Sequence, residues 1–417
     1  MNILRAVVLC FWNLVYPVVV VLAFPFWLLK MIRRDGWGSG LSERLGVYDR
    51  DAEAEKLGGV YIHAVSVGEI LLALKMIEKW REMTDDHFVL VPTTATGMAV
   101  ARERAGDRVR VIYAPLDFGF LIRRVIRRFE PRMVVMVESE LWPNLLWQPH
   151  RLGIPLGLIN ARLSPRSGRR YAKARPLVAP FLSLLDAVGV PEEGDLLRWQ
   201  TIGVRSEATE WTGNVKFDPE GAAMPKQRAD FAEMLETFPK ANGLVAMGVS
   251  TFSGEEVYLD EVFREAGYQS VLVPRHAERR DEIVKDLDNN VVLRSRFQKP
   301  SGAETFVIDS TGELRDWTAH ADVVVIGKSI FEKGGQNPSE AILAGVPVIC
   351  GPFMANFEPL VSELKAVNGL RTVETREELL EALRDLDKIS VKAAREVLEK
   401  HRGAMEKTIQ LFLRLKK

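Results

Sequence analysis

The sequence predicts two doubly wound α/β domains in tandem behind an apolar N-terminal helix, and three observations carry that expectation. A chain of 417 residues, at roughly 100–200 residues per domain, has room for two or three domains with cores of their own. Short β-branched runs alternate with amphipathic stretches, the pattern of a parallel sheet wrapped in helices. The alternation pauses over residues 217–240, a stretch holding Pro219, Pro225 and Pro239, and then restarts.

The elements follow in order. Ala6 to Leu29 is apolar apart from Asn13, and at about 1.5 Å per residue a helix of that length crosses a hydrocarbon core of roughly 30 Å. A cleaved signal peptide is the alternative, but the run is long for one, lacks an Ala-x-Ala-like exit and leads straight into Lys30, Arg33 and Arg34. Those cations, with Arg44, outnumber Arg5 upstream, so the positive-inside bias leaves the rest of the chain in the cytoplasm. Pro17 and Pro25 leave open a kinked or shallowly inserted segment. Residues 1–32 therefore read as a membrane anchor that supplies no strand, so that its removal is expected to leave the fold intact.

A first domain over residues 33–216 takes strands at Val60–Ala64, Phe88–Val91, Arg110–Tyr113, Met133–Val137 and Pro155–Ile159. Residues 217–240 read as a linker. A second domain over 241–390 takes strands at Gly243–Met247, Ser270–Val273, Thr305–Ile308, Asp322–Ile326 and Val346–Ile349, and residues 391–417 read as one closing helix. In such folds ligands sit at the carboxyl ends of the strands, here facing a cleft between the domains. Lys plus Arg and Asp plus Glu both total 56, so no global charge attracts nucleic acid and any anion binding has to come from local clusters. Two cysteines, Cys10 and Cys350, argue against a disulfide framework and a Cys-based metal site.

Five stretches can carry chemistry. Glu69 opens a helix after the strand Val60–Ala64 and the turn at Ser66; it reads either as an ordinary first-turn carboxylate in a capping arrangement with Ser66 or as an acceptor of a hydroxyl proton. Glu138 and Glu140 follow the strand ending at Val137, and Glu138 continues it more directly. Arg162, Arg166, Arg169 and Arg170 follow the strand ending at Ile159, either as a solvated loop or as guanidinium forks for an anion, a membrane surface included. The turn Gly248-Val249-Ser250-Thr251-Phe252-Ser253-Gly254 precedes another helix and suits phosphate, and Arg275 ends the next strand beside His276. Last, Gly334 and Gly335 admit close backbone approach, Asn337 and Pro338 start a helix, and Glu340 stands where a ribose diol can be held; together they describe a nucleotide grip.

These blocks, in this order, resemble the 3-deoxy-D-manno-octulosonic acid (Kdo) transferases. The resemblance also takes in the basic stretch Gly36 to Gly46, Thr212-Gly213-Asn214-Val215-Lys216-Phe217-Asp218 and Pro274-Arg275-His276. It implies the GT-B fold and an inverting glycosyltransferase that moves Kdo from CMP-Kdo to a lipid A precursor at the bacterial inner membrane, without a metal or other cofactor. By the same resemblance Glu69 is the base and Glu138 a second essential acid. It also gives Arg275, Gly334, Gly335, Asn337 and Glu340 to the donor; the residues themselves add Ser250, Thr251 and Lys328 to that set and assign the four arginines to the acceptor. Three positions depart from the usual pattern: Gln336 and Phe252 stand where His is common, and Lys328 where a small residue is usual. Lys328 adds charge to the phosphate or Kdo carboxylate site, and Phe252 removes a polar contact. A UDP-sugar transferase or UDP-sugar epimerase of the same fold is the enzyme alternative; a degenerate membrane-binding module is the other.

Overall fold

A computed structural model describes residues 3–34, 40–48, 58–139, 141–219, 224–238, 243–287, 290–297 and 304–415. Glu140, Pro239, residues 36–39 of the basic stretch and the side chains of Lys30, Arg33 and Arg34 lie outside the described set. The chain divides into two compact units, Met1–Asp218 with Gly403–Lys417, and Pro219–Arg402.

The first unit is built on β1 (Val60–Ala64), β2 (Phe88–Pro92), β3 (Val109–Val111), β4 (Met133–Val137), β5 (Leu156–Ile159), β6 (Ala187–Val190) and β7 (Thr209–Trp211). All pair in parallel, in the order β3-β2-β1-β4-β5-β6-β7. Strands covered on both faces need apolar residues at every position, and β1 and β4 are buried throughout. Alternate residues divide between two cores: Tyr61, Val134 and Met136 on one face, Val60, Ile62, Val135 and Val137 on the other.

Each face carries a terminal helix. The N-terminal helix α1 (Ile3–Arg34) places Leu9 in the first core. Its polar residues dock too: Arg5 Nε donates to the Pro180 carbonyl at 2.7 Å, Trp12 Nε1 to Asp117 at 2.9 Å, and Asn13 accepts from Asn144 at 2.9 Å. Its opposite side, with Val7, Phe11, Leu14 and Val18, is exposed, and Ile3–Phe26 is long and apolar enough to cross a membrane. The expectation of a wholly separate segment is qualified, because one side of α1 packs on the helices Pro143–Arg151 and Arg175–Leu182 of the first unit.

Residues 391–417 form two helices, Val391–Glu399 and Ala404–Leu413, not one. The break falls at Gly403, whose φ of 70° suits a residue without Cβ. The second of these helices returns to the first unit. There Asp218 accepts the N–H groups of Gly403 and Met405 at 3.0 and 2.8 Å, and Phe412 stacks on Trp80 at 6.0 Å. Gly157 in β5 makes room for that ring: a Cβ there would stand 2.3 Å from Phe412.

The second unit repeats the plan with β8 (Val245–Thr251), β9 (Gln269–Pro274), β10 (Val291–Leu293), β11 (Thr305–Val307), β12 (Val323–Ile326), β13 (Val348–Cys350) and β14 (Arg371–Thr372). The order is β10-β11-β9-β8-β12-β13-β14, again parallel throughout. Part of the stretch read as linker is folded into this unit. The helix Ala229–Glu236 buries Phe231 against Trp317, the rings stacked at 3.6 Å.

Candidate active site

In an open parallel sheet the crevice for a ligand opens where the strand order reverses. In the first unit that point lies between β1 and β4, which pair from Val60↔Met133 to His63↔Met136. Glu69 and Glu138 follow these two strands, so the topology brings the two expected acids to neighbouring strand ends. Glu69 stands in the first turn of the helix Val67–Met83 and closes a capping box: its carboxylate accepts Val65 N–H at 2.8 Å and Ser66 N–H at 3.3 Å, while Ser66 Oγ accepts Glu69 N–H at 3.2 Å. The capping reading of Glu69 is therefore realised in the structure. A carboxylate has about four acceptor positions, so two remain for a proton.

Glu138 leaves β4 in the left-handed region, φ 62°, a conformation uncommon for a residue with Cβ and one that gathers at functional sites. Its carboxylate pairs with Lys216 at 2.6 Å. Lys216 belongs to the Thr212–Asp218 block but was given no role by sequence reasoning; only its place in that block signalled it. Asn160, directly after β5, is also left-handed (φ 49°), and the loop beyond it carries Arg162. Arg166, Arg169 and Arg170 lie on the helix Pro165–Lys173, where spacings of three and four share a face. Those three are exposed, Arg162 is half-buried, and none of the four makes an ion pair with a described residue.

Beside this edge, sequence reasoning missed a small cavity of about 70 Å³ lined by Tyr16, Arg44, His63, Thr93, Asp117 and Trp142, among others. Asp117 accepts the N–H groups of Asn144 and Leu145 at the start of the helix Pro143–Arg151. Burial nevertheless pushes its carboxyl up to about 7. Buried His63 is lowered to about 4, and neither ring nitrogen has a partner among the described residues.

The second unit reverses its order between β8 and β12, paired from Val323↔Ala246 to Ile326↔Val249. Ser250 sits on a bulge of β8 at φ 55°, and Lys328, two residues after β12, at φ 53°. Gly327 lies so close that a Cβ would stand 2.4 Å from Ser250 O. Thr251 is fully buried, and its hydroxyl donates to Glu256, which also pairs with Arg279. Glu255, to which sequence reasoning gave no role, is fully buried; its carboxylate accepts the N–H groups of Phe252, Lys328, Ser329 and Ile330 at 2.7–3.2 Å.

Gly334 and Gly335 have φ of 129° and 70°, and the close approach that Gly335 permits is to Met354, 2.4 Å from a Cβ built there. Asn337 accepts the N–H of Ser339 at the start of the helix Ser339–Ala344. Glu340, in the first turn, is half-buried with no hydrogen-bond partner among the described residues. Burial raises its pKa, Arg315 partly offsetting the shift. Arg275 is exposed and makes no ion pair with a described residue.

Residues 39–219 match the family model described as 3-deoxy-D-manno-octulosonic-acid transferase (kdotransferase). The chain is 30% identical over 425 residues to the 3-deoxy-D-manno-octulosonic acid transferase of Haemophilus influenzae, covering 96% of this chain and 98% of that protein. Two solved structures share the fold at low identity. Anabaena Alr3699/HepE in complex with UDP-glucose has a TM-score of 0.51 at 16% identity, over 86% of this chain and 99% of its own. The UDP-GlcNAc 2-epimerase from Neisseria meningitidis has a TM-score of 0.53 at 13% identity, over 85% and 100%. The architecture is GT-B, two Rossmann-like domains, and it serves an epimerase as readily as a transferase.

Proposed function

Since the chain belongs to the 3-deoxy-D-manno-octulosonic acid (Kdo) transferase family of glycosyltransferases, we propose that it moves Kdo from CMP-Kdo to a hydroxyl of a lipid A precursor with inversion at the anomeric carbon. The observation that carries this reading is that Glu69 and Glu138 follow, respectively, the two strands that flank the switch point of the first sheet. Glu69 takes the proton of the acceptor hydroxyl as its oxygen attacks the anomeric carbon. The bond from that carbon to the CMP phosphate breaks, and CMP leaves with the electron pair. Glu138, held by Lys216, orients the acceptor. Arg162, Arg166, Arg169 and Arg170 receive its anionic groups, for which guanidinium forks are suited.

The donor goes to the second unit. Ser250, Lys328 and Arg275 face its phosphate and carboxylate, the loop of Gly334, Gly335 and Asn337 shapes the pocket, and Glu340 accepts the ribose hydroxyls. A half-buried carboxylate with no hydrogen-bond donor among the described residues gains most from such a diol. Thr251 contributes through Glu256 and Arg279 rather than by contact. In the division of labour we propose, residues 33–216 serve the acceptor and 241–390 the donor. α1 holds the enzyme at the inner membrane with both domains cytoplasmic. No metal is invoked; the leaving group departs to cations and backbone N–H groups. Incubation with CMP-Kdo, with and without lipid A precursor, tests the reading. Kdo-lipid product and acceptor-dependent CMP release are expected; product from UDP-sugars alone would overturn it.

A further inference from the structure

The ammonium of Lys328 lies 4.6 Å from the centroid of the Phe252 ring. Lys328 is half-buried, yet no carboxylate among the described residues pairs with it. Both residues hang from one buried group: Glu255 accepts Phe252 N–H at 2.9 Å and Lys328 N–H at 2.7 Å. The Lys328 carbonyl in turn accepts Gly335 N–H at 2.9 Å, and a Cβ on Gly334 would stand 3.8 Å from the Lys328 stem. The Phe252 ring is itself set edge-on to His276 at 5.8 Å. Lys328 thus keeps a left-handed backbone (φ 53°) that a lysine seldom adopts, and the contacts around it over-determine that conformation.

An aromatic face attracts a cation without neutralising it and without accepting its N–H groups in the manner of a carboxylate. A lysine resting on a ring therefore keeps its charge and its three donors for a ligand. A carboxylate in the place of Phe252 would take both. We propose that Phe252 is a positioning residue for Lys328, and that the Lys328 ammonium so held is the cation that binds the nucleotide's phosphate; this rests on the donor reading given above. It replaces the expectation that Phe252 merely removes a polar contact, because the two departures from the family pattern form one pair.

Titration calorimetry of the full chain in detergent, with CMP and with cytidine, tests the pair. Lys328→Met is expected to weaken CMP roughly tenfold, as loss of a charge-assisted contact does, and to leave cytidine unchanged. Phe252→Leu is expected to weaken CMP roughly threefold, the scale of a cation–π contact. It should have no further effect in the Lys328→Met background, and Phe252→Tyr should restore binding. CMP affinity indifferent to Lys328→Met would overturn the phosphate role while leaving the donor reading standing. Equal losses from Phe252→Leu with and without Lys328 would overturn the positioning role. Failure of the unaltered chain to bind CMP would sink the donor reading and the pair's role with it.

Discussion

Each oxygen of the Glu69 carboxylate accepts one backbone N–H, which makes the side chain a cap as well as a proposed base, and the two roles separate by substitution. Glu69→Gln is expected to lower turnover by roughly two to four decades while CMP binding persists. Ser66→Ala breaks the reciprocal cap and should cost on the order of 1 kcal/mol of stability with turnover kept. Steady-state kinetics and thermal unfolding on both variants decide the matter, and similar turnover in the two would remove Glu69 from the chemistry. Asp117 and His63 make a second residue-scale prediction. The raised Asp117 pKa gives stability that is complete below about 4, its unfolded range, and lost as pH rises through about 7. Depressed His63 gives stability that is complete above about 6.5 and lost as pH falls through about 4. Between these limits the slopes oppose. Asp117→Asn should therefore unmask the His63 slope, so that Tm falls as pH drops from about 6.5 toward 4.5; an unchanged Tm profile would count against it. Glu69 and Glu138 were legible as residues after strands, but the left-handed turns at Glu138, Ser250 and Lys328 were not, since nothing in a Glu, Ser or Lys announces a positive φ.

Most strands legible from sequence are buried on both faces with unbroken apolar runs, β1 and β4 above all; β3, half-exposed and carrying Arg110, was read from its β-branched flanks. β7 escaped because Thr209-Glu210-Trp211 is a short, half-exposed edge strand, and β14, of two residues, because its side chains are polar. β6 escaped because Gly189 interrupts it, in a place where Thr212 packs close. The docking of α1 was illegible for a different reason: an apolar helix that enters a bilayer and one that packs on a folded domain have the same composition. Its polar residues record the difference, since Arg5, Trp12, Asn13 and Tyr16 all bond to the first unit. Removing residues 1–32 is expected to lower the melting temperature of that unit and weaken near-ultraviolet signals from Trp142, as Leu9 and the ring contacts of Trp12 and Tyr16 are lost. An unchanged Tm would mean that the docking adds nothing. At the other terminus, Gly157→Ala should cost about 1–3 kcal/mol by forcing Phe412 from its place, which denaturant titration would read directly.

The two units have separate sheets and separate cores, so on the proposed division of labour donor and acceptor affinities should be alterable one at a time. The tandem plan was legible because the strand–helix rhythm restarts after residue 240. The return of the final helix to the first unit was not, because it rests on Asp218 capping a turn far along the chain. The arginine cluster belongs wholly to the first unit, and the Gly334–Glu340 loop wholly to the second. Arg166, Arg169 and Arg170 stand exposed on one short helix, and Arg162 follows β5, the strand next to β4, which Glu138 follows. Arginines that make no ion pair with a described residue at that edge suit an anionic acceptor, and guanidinium meets phosphate by two parallel bonds that an ammonium cannot copy. Replacing Arg162 or Arg166 with Ala is therefore expected to raise the KM for lipid acceptor while CMP affinity stays within twofold of the unaltered chain, roughly the scatter of a surface change. Lys at either position should recover only part of the loss. Arginines that serve solubility alone would leave acceptor kinetics unchanged and shift stability by no more than about 0.5 kcal/mol. Acceptor and CMP titrations on the two single variants separate these outcomes, and a selective loss of CMP affinity would move the cluster from the acceptor's account to the donor's.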